Sequence, residues 1–186
     1  MPVIFNKIPS PTVFRKGLPV VAFFIFLLAP MAKAGEDARI YARAVQAARA
    51  GHIDFAFMQY RSILNESPES PYSEYALFAS GEYYFLLPQR SQAAAFFHSY
   101  INRFPDAKGK LFALAYLYKL AQLEHDDPLA QELARKIVAD TQLSLIFRDF
   151  KEYRYQSPLA REHKVIFHID HIEFFVKGER FAEIVF

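Results

Sequence analysis

Hydrophobic positions in this chain follow helical spacing from Asp37 to Thr141 and strand-like alternation after Lys164. Gly35–Ala50 opens with Glu36 and Asp37, acids that suit a helix N-terminus, and continues ARIYARAVQAARA, rich in strong helix formers. Gly51 suits the C-terminus of that helix, His52-Ile53-Asp54 supplies a turn and a cap, and Phe55–Leu64 resumes helical spacing. The breaker cluster Asn65–Pro71 (NESPESP) closes this first pair. Ser73–Pro105 reads as a second pair joined by a short break. Ala107–Glu124 with Pro128–Thr141 reads as a third pair, more worn than the others.

The pairs superpose. Ala56 falls over Ala93, Tyr60 over Phe97 and Pro68 over Pro105, each displaced by 37 residues, and one more step lands on Ala130, four residues before Ala134. Ala44 and Ala47 fall where Gly81 and Tyr84 stand, while Tyr118 takes the glycine position in the third pair. A physical demand lies behind the small residues. Two helices seal only when their backbones approach to roughly 8–10 Å, which Ala or Gly at the contact permits. One hairpin cannot bury its apolar face alone, so hairpins of matched length are expected to stack in series.

After Thr141 the character changes. Leu143–Tyr155 (LSLIFRDFKEYRY) is compatible with helix or strand, and Gln156-Ser157-Pro158 breaks it. Beyond Lys164, Val165, Phe167 and Ile169 share one parity, then Ile172, Phe174 and Val176 share the other, so a bulge or turn is expected near Asp170-His171. Lys177-Gly178 reads as a hairpin turn between Ile172–Val176 and Glu179–Phe186. A lone hairpin is marginal in water, so this one is expected to pack on the last helix pair and shield the end of the stack.

The first 34 residues read as a leader. A polar start closing on Arg15-Lys16, the apolar run Leu18–Leu28, and Ala32-Lys33-Ala34 follow the three-part order of a secretory signal peptide, with cleavage expected after Ala34. A membrane anchor is the rival, but spanning takes roughly 20 apolar residues, and charge and Pro30 interrupt the run. Removing 34 of 186 residues leaves 152 and carries away four basic residues and no acid. The remainder holds 18 Lys+Arg against 20 Asp+Glu, a balance of −2, with no basic stripe for a nucleic acid. Cysteine is absent, which excludes disulfides, a Cys nucleophile and the acylated Cys of a lipoprotein.

Candidate chemistry is sparse. His163, His168 and His171, with Glu162 and Asp170 beside them, invite a metal reading. In a straight strand, however, His168 and His171 would point to opposite faces, and the H-E-x-x-H pattern is absent, so they are expected to be surface or hairpin histidines. The glycines are too widely spaced to cradle a phosphate, no G-x-S-x-G is present, and Asp126-Asp127 is expected to cap the next helix. No catalytic, cofactor-binding or metal residue is therefore expected. One stripe does stand out. Tyr75, Phe78, Glu82 and Phe85 lie at i, i+3, i+7 and i+10, away from the Leu77–Gly81–Tyr84 face, and Tyr41, Phe112 and Lys119 match them by displacement. These residues are either an aromatic groove for a peptide or core packed on the C-terminal segment.

Gly81, Tyr84, Ala93, Phe97 and Pro105 follow the G-x₂-Y, A-x₃-F and closing-P spacing of a tetratricopeptide repeat, and Ala56, Tyr60 and Pro68 match well. Over about Asp37–Thr141 the chain thus resembles the tetratricopeptide-repeat superfamily. Its Y-R-S-I-L…P and Y-I-N-R-F-P endings are similar to those of bacterial envelope proteins, namely the repeat lipoprotein of the outer-membrane barrel-assembly machine and the Tol–Pal-associated cell-division coordinator. The unit length of 37 exceeds the usual 34 or so, and the segment after Pro158 belongs to neither relative. The resemblance implies a mainly α fold: a solenoid of about three helix hairpins over 35–142, then a 143–186 segment with a small β-hairpin. It also implies a non-catalytic adaptor in the periplasm or secreted, binding a protein or peptide partner. Two rivals remain: a subunit that pairs through its final strand, and an envelope enzyme with a histidine-centred C-terminal site.

Overall fold

The structure, a computed structural model, describes residues 20–147 and 152–185, with side-chain surroundings for 35–141 and 152–185. The expected polar start of the leader, Met1–Lys16, and the terminal Phe186 lie outside the described residues. The chain divides into two units, Met1–Lys33 and Ala34–Phe186. Among the described residues no helix is long and apolar enough to cross a membrane.

Six helices precede one sheet. They are α1 (Val20–Arg49), α2 (Ile53–Glu66), α3 (Ser73–Leu86), α4 (Arg90–Arg103), α5 (Lys110–Leu123) and α6 (Asp127–Phe147). Their starts sit on the expected lattice: Ile53, Arg90 and Asp127 are 37 apart (90 − 53, 127 − 90), as are Ser73 and Lys110 (110 − 73). The stops repeat too. At the ends of α1, α3 and α5 the same six-residue closure forms, from His52 N–H to the Ala47 carbonyl, Gln89 N–H to Tyr84 and Asp126 N–H to Ala121. Such closures need a left-handed residue just before the donor; Gly51 (φ 82°) and His125 (φ 58°) supply it in the first and third. At the ends of α2 and α4, Ser67 and Phe104 adopt nearly the same extended-side φ (−144° and −130°) ahead of Pro68 and Pro105, as a residue before proline must.

Alanine-sized contacts close the helix pairs as expected. Ala44, Ala56, Ala76, Ala79 and Ala93 are fully buried, and Ala130 nearly so. Gly81 of α3 is a close approach of this kind, because a Cβ there would meet the Phe97 ring of α4 at 2.8 Å. Phe97 and Tyr60, the groove-fillers of the two units, are both fully buried.

The C-terminal segment is larger than the expected hairpin. It forms a four-stranded antiparallel meander, β1 (Glu152–Gln156), β2 (Glu162–Phe167), β3 (His171–Val176) and β4 (Glu179–Val185), in the order β1-β2-β3-β4. The ambiguous stretch from Leu143 divides: α6 continues past Thr141 to Phe147, β1 begins at Glu152, and 148–151 lie outside the described residues. Lys177 and Gly178 both have positive φ (53° and 82°), the two-residue turn whose twist matches antiparallel strands. The expected phase slip is a turn, closed by His168 N–H on the His171 carbonyl. A second irregularity was not anticipated. Phe174 opposes Ala182 and Phe175 opposes Arg180, which leaves Phe181 unopposed in a bulge.

The sheet does not merely shield the end of the helix stack. Its inward residues, among them His163, Val165, Ile172, Phe174, Ala182 and Ile184, are buried in the same core as Phe78, Phe97, Phe112 and Tyr116 of α3, α4 and α5. The β1–β2 connection reaches further, to the smaller core of the first helices, where Leu159 is buried with Ala44, Ala56 and Ile63, and Tyr60 donates to the Pro158 carbonyl (3.0 Å).

Candidate functional site

The seven face residues do not form one open groove. Phe78, Glu82 and Phe112 are enclosed (0%, 0% and 2% exposed). Phe78 meets Tyr155 of β1 edge-on at 5.2 Å, and Phe112 stacks on Tyr153 and Tyr155 at 5.9 and 5.6 Å. Phe85 is partly buried with its ring 5.5 Å from Phe181, the bulge residue of β4. Of the two readings of this stripe, core packed on the C-terminal segment describes these four residues, because the sheet occupies the face that a peptide would need. Lys119, further along α5, is partly buried.

Tyr41 and Tyr75 are placed differently. Tyr75 is 38% exposed and Tyr41 half-buried. Tyr41 stacks on Tyr72 (4.5 Å, 18° between planes) and lies 5.2 Å from Tyr75, so α1 and the start of α3 present three clustered tyrosines. Beside them Tyr41, Ala42, Val45, Gln46 and Arg49 line a shallow depression. Burial, first, and the neighbouring tyrosines hold the Tyr41 hydroxyl above its ordinary pKa. Among the described residues no strand packs on this end of the helix face.

The centre of the covered face is polar. Tyr116 donates to Glu82 Oε1 at 3.0 Å and lies 3.0 Å from His163 Nε2, and that nitrogen is 3.2 Å from the same carboxylate oxygen. His163 Nδ1 faces the Arg161 carbonyl at 3.1 Å; a carbonyl only accepts, so Nδ1 carries a proton. Tyr116 has one proton and therefore donates to one of these two neighbours at a time. Burial above all, then Glu82, drives the Tyr116 pKa well above its usual value. Glu82 Oε2 and two nitrogens of Arg161, Nε and NH1, are buried without a partner among the described residues.

This triangle corrects the expectation for His163, which is fully buried and not on the surface. Its ring is enclosed by Phe78 of α3, Phe112 and Tyr116 of α5 and Tyr155 of β1. It ties strand β2 to two helices through a directional polar contact inside an otherwise aromatic core.

His168 and His171 are hairpin histidines, as expected, but their rings do not point apart. They flank the β2–β3 turn with rings parallel at 6° and centroids 4.0 Å apart, not on opposite faces. The argument from a straight strand fails because the chain reverses between them. Of the other described depressions, one lies between α5, α6 and the sheet, lined by Lys110, Asp140, Tyr153 and Phe167 among others, with a volume of about 570 Å³. Two of its charges are paired with each other, Lys110 Nζ to Asp140 at 2.8 Å. No protein-family model matches the chain, and no curated protein matches it.

Proposed function

We propose that this chain is an exported, non-catalytic scaffold of the tetratricopeptide-repeat type that holds a protein or peptide partner, with a role in assembly of the bacterial envelope. The tyrosine cluster Tyr41–Tyr72–Tyr75 carries the reading: it is the part of the inner helix face that the chain's own sheet leaves open. Tyrosine offers large contact area at low conformational cost and is enriched where interfaces concentrate their energy. The 37-residue helix lattice with its repeated closures supports the repeat assignment. The three-part leader ending in Ala32-Lys33-Ala34 is what supports export.

The partner site is thereby narrowed from seven residues to the α1–α3 end. A photo-crosslinking amino acid at position 75 of the full-length chain, expressed in a bacterial envelope, tests it. Capture of one defined partner, lost on Tyr41→Ala, is expected. Equal capture from position 75 with and without Tyr41→Ala, or none, overturns the tyrosine site.

One observation favours a second reading, pairing through the final strand. Among the described residues β4 pairs only with β3, Val185 is 74% exposed, and Ala134, Val138 and Ala139 of α6 line a depression beside Ile184 and Val185. An added strand would find a ladder there. Val185→Lys places a charge on that edge, a device that blocks edge pairing; loss of self-association in light scattering is the outcome this reading requires.

A further inference from the structure

We propose that His168, His171 and Glu173 bind a divalent transition-metal ion of the zinc class at the β2–β3 turn. Three facts place the ligands. His168 directly follows β2 and His171 opens β3, and the turn brings both rings to one side. Glu173 lies two residues past His171 and therefore on the same face of β3, opposite to the inward Ile172 and Phe174. One donor atom from each of the three lies within 4.8 Å of the others.

The donor set suits the ion. Two imidazoles and one carboxylate are the three-ligand set of accessible zinc sites, with solvent in the fourth position. Tetrahedral bonds of about 2.0–2.2 Å put ligand atoms roughly 3.4 Å apart. The donors need to close by about an ångström, within the reach of side-chain rotation on partly exposed residues. Imidazole with carboxylate also favours zinc, nickel or copper over calcium or magnesium, which take oxygen donors.

The surroundings orient the ligands. Asp170 Oδ1 sits 2.6 Å from His171 Nδ1, which fixes that nitrogen as the donor and leaves Nε2 for a metal. Arg180 approaches Glu173 Oε1 (3.4 Å) while Glu173 Oε2 meets His168 Nε2 (3.1 Å), so one carboxylate oxygen is held and the other faces the imidazole. Across the ladder Glu183 opposes Glu173 and Ile166 flanks it from β2; Arg180 is the cation nearest the carboxylate, and it is also paired with Glu183 (3.0 Å).

Cobalt(II) and zinc(II) titrated into the full chain test the site. Cobalt should give visible bands of tetrahedral intensity, saturating at one equivalent and erased by zinc. His168→Ala and His171→Ala should each abolish the bands, and Asp170→Asn should weaken binding roughly 10-fold or more while leaving the bands in place. Both rings and Asp170 are on an exposed turn, so these variants keep the fold, checked by far-UV dichroism. His98→Ala, on the outer side of α4, serves as the control and should change nothing. The proposal is overturned by the absence of bands in the parent chain, by bands that survive both histidine substitutions, or by bands that His98→Ala removes.

Discussion

Gly81 shows how a single atom sets the helix spacing. Alanine would favour the helix by about 1 kcal/mol, but its Cβ would press on Phe97 at 2.8 Å. That ring cannot retreat, being stacked on Tyr116 at 4.7 Å and met edge-on by Phe78 at 5.6 Å. Overpacking of this kind costs about 1–3 kcal/mol, so Gly81→Ala should be net destabilising in urea melts despite the better helix propensity; a gain in stability would mean the α3–α4 contact is looser than described. The lattice of Ala56, Ala93 and Gly81 was legible because period and residue size are both properties of sequence. The burial of Glu82 was not. A charged residue on an aromatic stripe reads as solvent-facing, since carboxylates are almost never fully buried unless paired. Its partners, Tyr116 and His163, lie 34 and 81 residues away (116 − 82, 163 − 82), and no local pattern announces them.

At the scale of elements, the triangle binds strand to helix. Removing one member of a buried hydrogen-bonded cluster leaves the others unsatisfied and costs about 1–3 kcal/mol. His163→Ala and Glu82→Ala should each fall in that range by chemical denaturation, and the double substitution should cost clearly less than their sum, since the two share one contact. Additive losses would show that His163 and Glu82 act independently. The same covering of α3 and α5 changes how Phe78 is read. Phe78→Ala digs a cavity in the core, so a loss of binding would follow from unfolding and says nothing about a groove. The sheet itself was half legible. Alternation and Lys177-Gly178 announced β3 and β4, whereas β1 hid in a run whose charges and aromatics suit helix and strand alike. Its strand identity comes from pairing with β2, a tertiary fact.

Buried tyrosines recur through both cores of the helical region. Tyr60, Tyr100, Tyr116 and Tyr155 all have pKa values pushed far above 10, chiefly by burial. In the unfolded chain they ionise near 10. Above that pH the folded state holds more protons than the unfolded, so stability falls as pH rises, by up to about 1.4 kcal/mol per pH unit for each such tyrosine. Below pH 10 this contribution is fully present. Unfolding should therefore become steep above pH 10, with tyrosinate absorbance of these residues rising together with loss of helix signal. Gradual tyrosinate formation in a chain that stays helical would place the four hydroxyls nearer water than described.

The meander that covers α3 and α5 is made after the helices it covers. Phe78 cannot meet Tyr155 or His163 until some 80 further residues have been synthesised (155 − 78, 163 − 78). Neighbouring helices need far shorter closures, so the hairpins have the kinetic advantage. Between those two moments the nascent protein presents a bare aromatic wall, the kind of surface on which partly folded chains aggregate. Holdase chaperones, or late release of the C-terminus, would then govern its yield more than the stability of the finished fold.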